Sequence, residues 1–169
     1  MAKENTRHVI SILMENETGA LSRVAGLFSA RGYNIESLTV APTTDDDISR
    51  MTLVTHGDDA IVEQIIKQLN KLIDVVKVMD LNEHKYIERE MLILKVSAET
   101  PDACASVKHM VDIFRAHIID VKQKTFTIEA TGKSDKLDSF IEALESHTIL
   151  EVVRSGAMGM ARGNTTLHI

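Results

Sequence analysis

The chain has 169 residues, 44% of them apolar, with 19 Lys and Arg against 25 Asp and Glu and a formal net charge of -6. This balance disfavours a nucleic-acid backbone or an anionic membrane as the main partner, and the length suits one medium domain or two small ones. A single cysteine, Cys104, excludes an intrachain disulfide, and the absence of Trp disfavours large stacking platforms for bases or sugars.

Residues 8–14 read as a strand, with Val9, Ile10, Ile12 and Leu13 in an apolar run. The turn Glu15-Asn16-Glu17-Thr18-Gly19 follows. A helix over 20–30 then carries Leu21, Val24, Ala25 and Phe28 on one stripe. Gly32 suits a left-handed C-cap. A second strand spans 34–41 and is closed by Pro42, and residues 43–47 form a polar turn. A third strand covers 49–56, with Met51 and Leu53 on one face. Gly57-Asp58-Asp59 opens a second helix, with an aspartate able to cap it and a stripe of Ile61, Ile65, Leu69 and Leu72. A fourth strand spans 75–81.

The second half repeats this order. Residues 86–96 read as a strand, and Pro101-Asp102 opens a helix with Val107, Met110, Val111 and Phe114 in register. A strand pair over 118–121 and 125–131 precedes a helix that Ser134 can cap, with Leu137, Phe140, Ile141 and Leu144 inward. A last strand covers 149–154. Strand, helix, strand, strand, helix, strand is the split βαβ order of ferredoxin-like folds. The predicted class is therefore α+β: two ferredoxin-like βαββαβ domains, 1–82 and 83–169, joined through Asn82-Glu83-His84-Lys85. The tail after Gly156 lacks periodicity and reads as loose.

The first turn is the leading candidate site. Free N–H groups at a helix start, aided by the helix dipole, can hold a carboxylate. The Asn16 amide oxygen can accept from an ammonium group, and Leu21 and Ile35 can supply apolar walls. Together these features describe a cradle for a free amino acid. The plainer reading is a turn in which Thr18 caps the helix. Spacing alone leaves both open.

The stretch Glu15-Asn16-Glu17-Thr18-Gly19-Ala20-Leu21-Ser22-Arg23-Val24, followed by Gly26-Leu27-Phe28-Ser29 and by Arg31-Gly32-Tyr33-Asn34-Ile35-Glu36-Ser37-Leu38-Thr39-Val40-Ala41-Pro42, resembles the small regulatory subunits of acetolactate synthase (acetohydroxyacid synthase). Ser49-Arg50-Met51-Thr52, Glu88-Arg89-Glu90, Phe114-Arg115, Ile118-Ile119-Asp120-Val121 and Arg154-Ser155-Gly156 extend the resemblance over nearly the whole chain. It implies an N-terminal ACT domain over 1–82 and a C-terminal ferredoxin-like domain over 83–169. It also implies no catalytic residue and no cofactor in this chain. The partner it implies is a catalytic large subunit that carries thiamine diphosphate, Mg²⁺ and FAD and condenses two pyruvates to acetolactate. The small subunit raises its activity and confers feedback inhibition by valine, within branched-chain amino acid biosynthesis. In that family valine is held between paired ACT domains of a homodimer, which implies that Asn16, Thr18, Gly19, Ala20 and Leu21 come from one copy and Asn34 and Ile35, at the start of the second strand, from the other.

Other readings weigh less. A stand-alone amino-acid-sensing ACT regulator of another partner is the alternative within this fold. An RNA-binding module of the same strand order needs aromatics on its central strands and a basic face, whereas these strands carry Ile12, Leu13, Met51 and Leu53. Three adjacent carboxylates at 45–47 do not converge on one cation. The histidines lack zinc-type spacing, so no metal is expected. Cys104 has no histidine signature beside it and reads as a packing residue, and the glycines at 156, 159 and 163 fit no phosphate loop. No nucleophile–base pair supports a stand-alone enzyme. The polar N-terminus lacks a signal-peptide core, so the expected location is the cytoplasm.

Overall fold

The elements of the first half are β1 (Thr6–Glu15), α1 (Ala20–Ala30), β2 (Ser37–Pro42), β3 (Ile48–Gly57), α2 (Asp59–Leu69) and β4 (Val75–Asp80). Those of the second are β5 (Tyr86–Ser97), α3 (Pro101–Phe114), β6 (His117–Lys122), β7 (Thr125–Gly132), α4 (Ser134–Ala143), β8 (Ile149–Arg154) and β9 (Met158–Ala161). The computed structural model describes residues 6–169. Two units result: the chain up to Glu88 together with Ala157–Ile169, and Arg89–Gly156. The sequence reading divided the chain once, at 82/83; the contacts divide it at 88/89 and return the tail to the first unit. No helix among the described residues is long and apolar enough to cross a membrane.

In the first unit the sheet order is β2-β3-β1-β4, and all neighbours are antiparallel. Ile10, Ile12 and Met14 of β1 and Met51 and Leu53 of β3 face α1 and α2. They meet Ala20, Val24 and Phe28 from one helix and Val62, Ile65 and Leu69 from the other. Burial of each large side chain in this layer contributes about 1.5–3 kcal/mol. The second unit repeats the plan as β6-β7-β5-β8, with Leu92, Leu94, Val96, Ile128 and Ala130 packed under Val107, Val111, Leu137 and Phe140.

The opposite face of the first sheet is also covered. Val9, Val54 and Leu81 pack with Ala157 and Ala161 of the C-terminal segment. The tail predicted to be loose is therefore held: β9 pairs with β5, Gly159 N–H donates to the Thr52 hydroxyl at 3.3 Å, and Arg50 donates to the Gly159 carbonyl at 3.1 Å. Gly159 allows this close approach: a Cβ there would meet Leu81 Cδ1 at 2.5 Å and Val9 Cγ1 at 3.3 Å, so a side chain would have to displace Leu81.

Residues 82–85 are not a free linker either. A 3-10 turn, Leu81–Glu83, follows β4. The Asn82 side chain accepts from Val9 N–H at 3.0 Å and donates to the Arg7 carbonyl at 2.8 Å, extending the ladder beside β1. Both units also place one buried polar side chain of their first strand against the end of their last. His8 Nδ1 lies 3.0 Å from Asp80 Oδ2. Glu90 receives Arg154 Nε and Nη2 at 2.9 and 2.7 Å and the Ser134 hydroxyl at 2.9 Å. Ser134 was expected to cap α4, but Lys133 occupies the cap position and the hydroxyl is committed to Glu90. Burial pushes the Glu90 carboxyl up, and the bonds from Arg154 and Ser134 outweigh it, holding the group below its ordinary range.

Candidate functional site

The turn between β1 and α1 is fixed from both sides. Asn16 N–H donates to the Asp47 carbonyl at 2.8 Å, and its side-chain amide donates to the Asp46 carbonyl at 2.8 Å. Its amide oxygen accepts from the Ser49 hydroxyl at 3.0 Å, which leaves a second lone pair on that oxygen. On the far side Arg23 forks onto buried Asp74, whose carbonyl accepts from Glu15 N–H at 2.8 Å. The hydrogen bond from Arg23 holds the Asp74 carboxyl below the usual carboxylate range, and the same bond holds the guanidinium above its own. One oxygen each of Glu15, Glu17 and Asp74 lie within 4.8 Å of one another. Asp74 is already neutralised by Arg23, so this cluster assigns no cation site.

Gly19 is the residue at the cap of α1. Its φ of 92° is left-handed, and a Cβ there would press on the Arg23 guanidinium at 3.1 Å. No side chain caps this helix, and no acidic residue lies in its first turn. The alternative in which Thr18 is the cap therefore does not hold; Thr18 is exposed on the turn. Ala20 N–H bonds the Glu17 carbonyl at 3.2 Å. Among the described residues, the N–H groups of Leu21 and Ser22 have no backbone acceptor. Ala20 is buried beneath the turn, whereas Leu21 is 41% exposed beside it. Two of the other helices close their own starts, and the third, α4, has no side-chain cap but carries Asp135 in its first turn. Asp58 accepts from Ile61 N–H on α2, and Thr100 accepts from Ala103 N–H on α3, where Pro101 and Asp102 follow. Among the described helices, the start of α1 alone combines an open first turn with a glycine cap and no acidic residue in that turn.

Asn34 and Ile35 lie elsewhere. They were expected at the start of the second strand, but β2 begins at Ser37 and they belong to the preceding loop. The shift has a cause: Asn34 gives its carbonyl to the Thr55 hydroxyl at 2.6 Å, and ladder pairing begins only with Glu36 N–H on the Val54 carbonyl at 2.8 Å. Ile35 packs on the helix-side core, and Asn34 is exposed. Asn16 bonds Asp47, whereas Asn34 bonds Thr55. Along β3, from Ile48 beside Asp47 to Thr55, lie seven steps of the strand rise, about 23 Å. One copy of the chain thus brings Asn16, Thr18, Gly19, Ala20 and Leu21 together at one end of the sheet, and Asn34 and Ile35 at the other. Sequence reasoning missed the residues that hold these segments, Ser49, Asp74 and Thr55. The hydroxyl residues Ser49 and Thr55 near the two ends of β3 were the available signal, a weak one because Arg50, Thr52 and His56 of the same strand are polar too.

The sequence model described as the AHAS small subunit-like ACT domain matches residues 10–77, and that described as the small subunit of acetolactate synthase matches residues 89–163. The acetolactate synthase small subunit of Haemophilus influenzae is 52% identical over 162 residues, covering 95% of this chain and 99% of that protein. The acetolactate synthase isozyme 3 small subunit of Salmonella typhimurium is 51% identical over 163 residues, covering 96% and 99%. The crystal structure of the acetolactate synthase small subunit from Thermotoga maritima superposes with a TM-score of 0.85 at 38% identity, covering 95% of this chain and 99% of that one. Its two ferredoxin-like units and near full-length identity to these subunits make the chain a member of the acetolactate synthase small-subunit family.

Proposed function

We propose that the chain is the regulatory partner of a catalytic acetolactate synthase subunit, which it activates and which it makes sensitive to valine. The large subunit is the one that carries thiamine diphosphate, Mg²⁺ and FAD and joins two pyruvates to acetolactate and CO₂; this chain supplies no catalytic group. The complex works in the cytoplasm. The observation that carries the effector role is the open start of α1. Its free N–H groups, uncapped glycine and acid-free first turn suit the carboxylate of an amino acid, while the Asn16 amide oxygen suits its ammonium.

Two copies complete the site. β2 is an edge strand whose last three residues, Val40, Ala41 and Pro42, are exposed. An open edge invites pairing with another chain. Side-by-side pairing of two ACT sheets sets the Asn16–Leu21 turn of one copy against Asn34 and Ile35 of its partner, which answers the separation of the two segments within one chain. Valine then acts by binding two conformations unequally. Calorimetry of the purified chain tests the sensing role. Saturable valine heat at millimolar ligand or below is expected, and a folded chain that gives none rejects it.

A further inference from the structure

The segment that supplies Asn34 and Ile35 is anchored at each side. Tyr33 N–H bonds the Phe28 carbonyl at 3.0 Å, and the Tyr33 ring stands edge-on to Phe28 at 6.0 Å. Glu36 N–H bonds the Val54 carbonyl at 2.8 Å, and its carboxylate lies 2.8 Å from His56 Nδ1 and 3.4 Å from Arg7 Nε. Between these anchors, among the described residues, a single hydrogen bond holds the backbone, from the Thr55 hydroxyl to the Asn34 carbonyl at 2.6 Å. Thr55 is 1% exposed and lies on the helix side of β3, in line with Met51 and Leu53. A valine would fill the same volume there without a hydroxyl to satisfy. Among the described residues the hydroxyl has one hydrogen-bond partner, the Asn34 carbonyl, and that partner belongs to the candidate half-site.

The bond has a geometric consequence. Among the described residues no peptide is cis, and in a trans peptide the carbonyl of one residue and the N–H of the next point in opposite directions. Drawing the Asn34 carbonyl inward onto Thr55 therefore turns the Ile35 N–H outward. That N–H has no backbone acceptor among the described residues. We infer that Thr55 is the positioning residue of the second half-site: its hydroxyl fixes the Asn34–Ile35 peptide so that the Ile35 N–H and the Asn34 amide are presented, preformed, to an amino acid gripped by the partner copy. This rests on the effector reading above and adds to it a residue buried away from the ligand and a backbone donor beside it. Preformed donors avoid the cost of ordering a loop on binding.

The test uses the full chain with Thr55→Val, which keeps shape and removes the hydroxyl, and Thr55→Ser, which keeps the hydroxyl. Valine affinity measured by calorimetry should fall at least tenfold in Thr55→Val and stay within about threefold in Thr55→Ser, roughly the effect of one buried hydrogen bond. Equal affinities in wild type and Thr55→Val overturn the inference, as does an equal loss in both variants, because the hydroxyl would then not be the cause. Amide exchange over residues 33–36 gives a readout independent of valine: it should quicken in Thr55→Val and not in Thr55→Ser, and unchanged exchange in Thr55→Val overturns the inference. A wild-type chain that is folded yet gives no valine heat rejects the effector reading itself, whatever the exchange shows.

Discussion

Asn16 and Asn34 stand at opposite ends of one sheet, the first bonded to the Asp47 carbonyl and Asp46, the second to Thr55. Neither can reach a ligand held by the other within the same copy. This separation makes the proposed site a property of a dimer and gives a test by complementation. Asn16→Ala and Asn34→Ala should each weaken valine binding, the first by about 1–3 kcal/mol for a lost buried acceptor. Mixing the two variants in equal amounts should then restore binding. In a two-fold dimer the mixed species holds one doubly altered site and one intact site, so about a quarter of wild-type capacity returns. A mixture that binds no better than either variant rejects the two-copy site.

Gly19 carries a second prediction. Its φ of 92° is strained for any side chain, and a Cβ presses on Arg23. Gly19→Ala should cost about 1–2 kcal/mol of stability from the left-handed backbone alone, read as a lower urea midpoint. Valine affinity should fall with it, because relief of the strain rotates the first-turn N–H groups. Unaltered affinity in a folded Gly19→Ala chain would remove the open helix start from the site.

The tail yields a third. Gly159→Val drives methyl groups into Leu81 and Val9, which are fully buried. Overpacking of this kind costs about 1–3 kcal/mol. The first unit should bear the loss, with faster amide exchange in β1 around Val9 and in β9. Wild-type exchange in β9 would show that the tail does not depend on this close approach.

How far the sequence foretold this structure depends on which faces were covered by what. Both βαββαβ orders were legible because α1 to α4 carry their apolar residues at helical spacing and Asp58 caps α2 where expected. The covered outer face was not read, although its signal was present. From Val9 to Met14 β1 is buried at every position, whereas β5 alternates buried and exposed over most of its length. A strand that stays apolar without alternation is covered on both sides, and the cover is the tail that lacked any periodicity of its own. The residues proposed to face the ligand were named from the turn and from family resemblance. Their supports were not, because Ser49, Asp74 and Thr55 act through contacts made only after the sheet is assembled.

Acid should act on the second unit through Glu90. Its carboxyl is held below its ordinary value in the folded chain by Arg154 and Ser134, against the opposing effect of burial. A depressed carboxyl contributes stability that is present above the unfolded pKa and lost as pH falls through the folded one. Glu90→Gln should therefore be less stable than wild type at pH 7, on the order of 1–3 kcal/mol for charge-assisted bonds. The gap should narrow as pH falls below the ordinary carboxylate range. A gap that stays constant from pH 7 to acid would show that Glu90 is not charged in the fold.

Reconstitution tests the central claim most directly. The purified chain is added to the catalytic subunit of acetolactate synthase, and acetolactate formation from pyruvate is followed with and without valine. The chain alone should form none, its addition should raise the activity of the catalytic subunit, and valine should inhibit only when the chain is present. A catalytic subunit whose rate and valine response are the same with and without the chain would contradict the regulatory role.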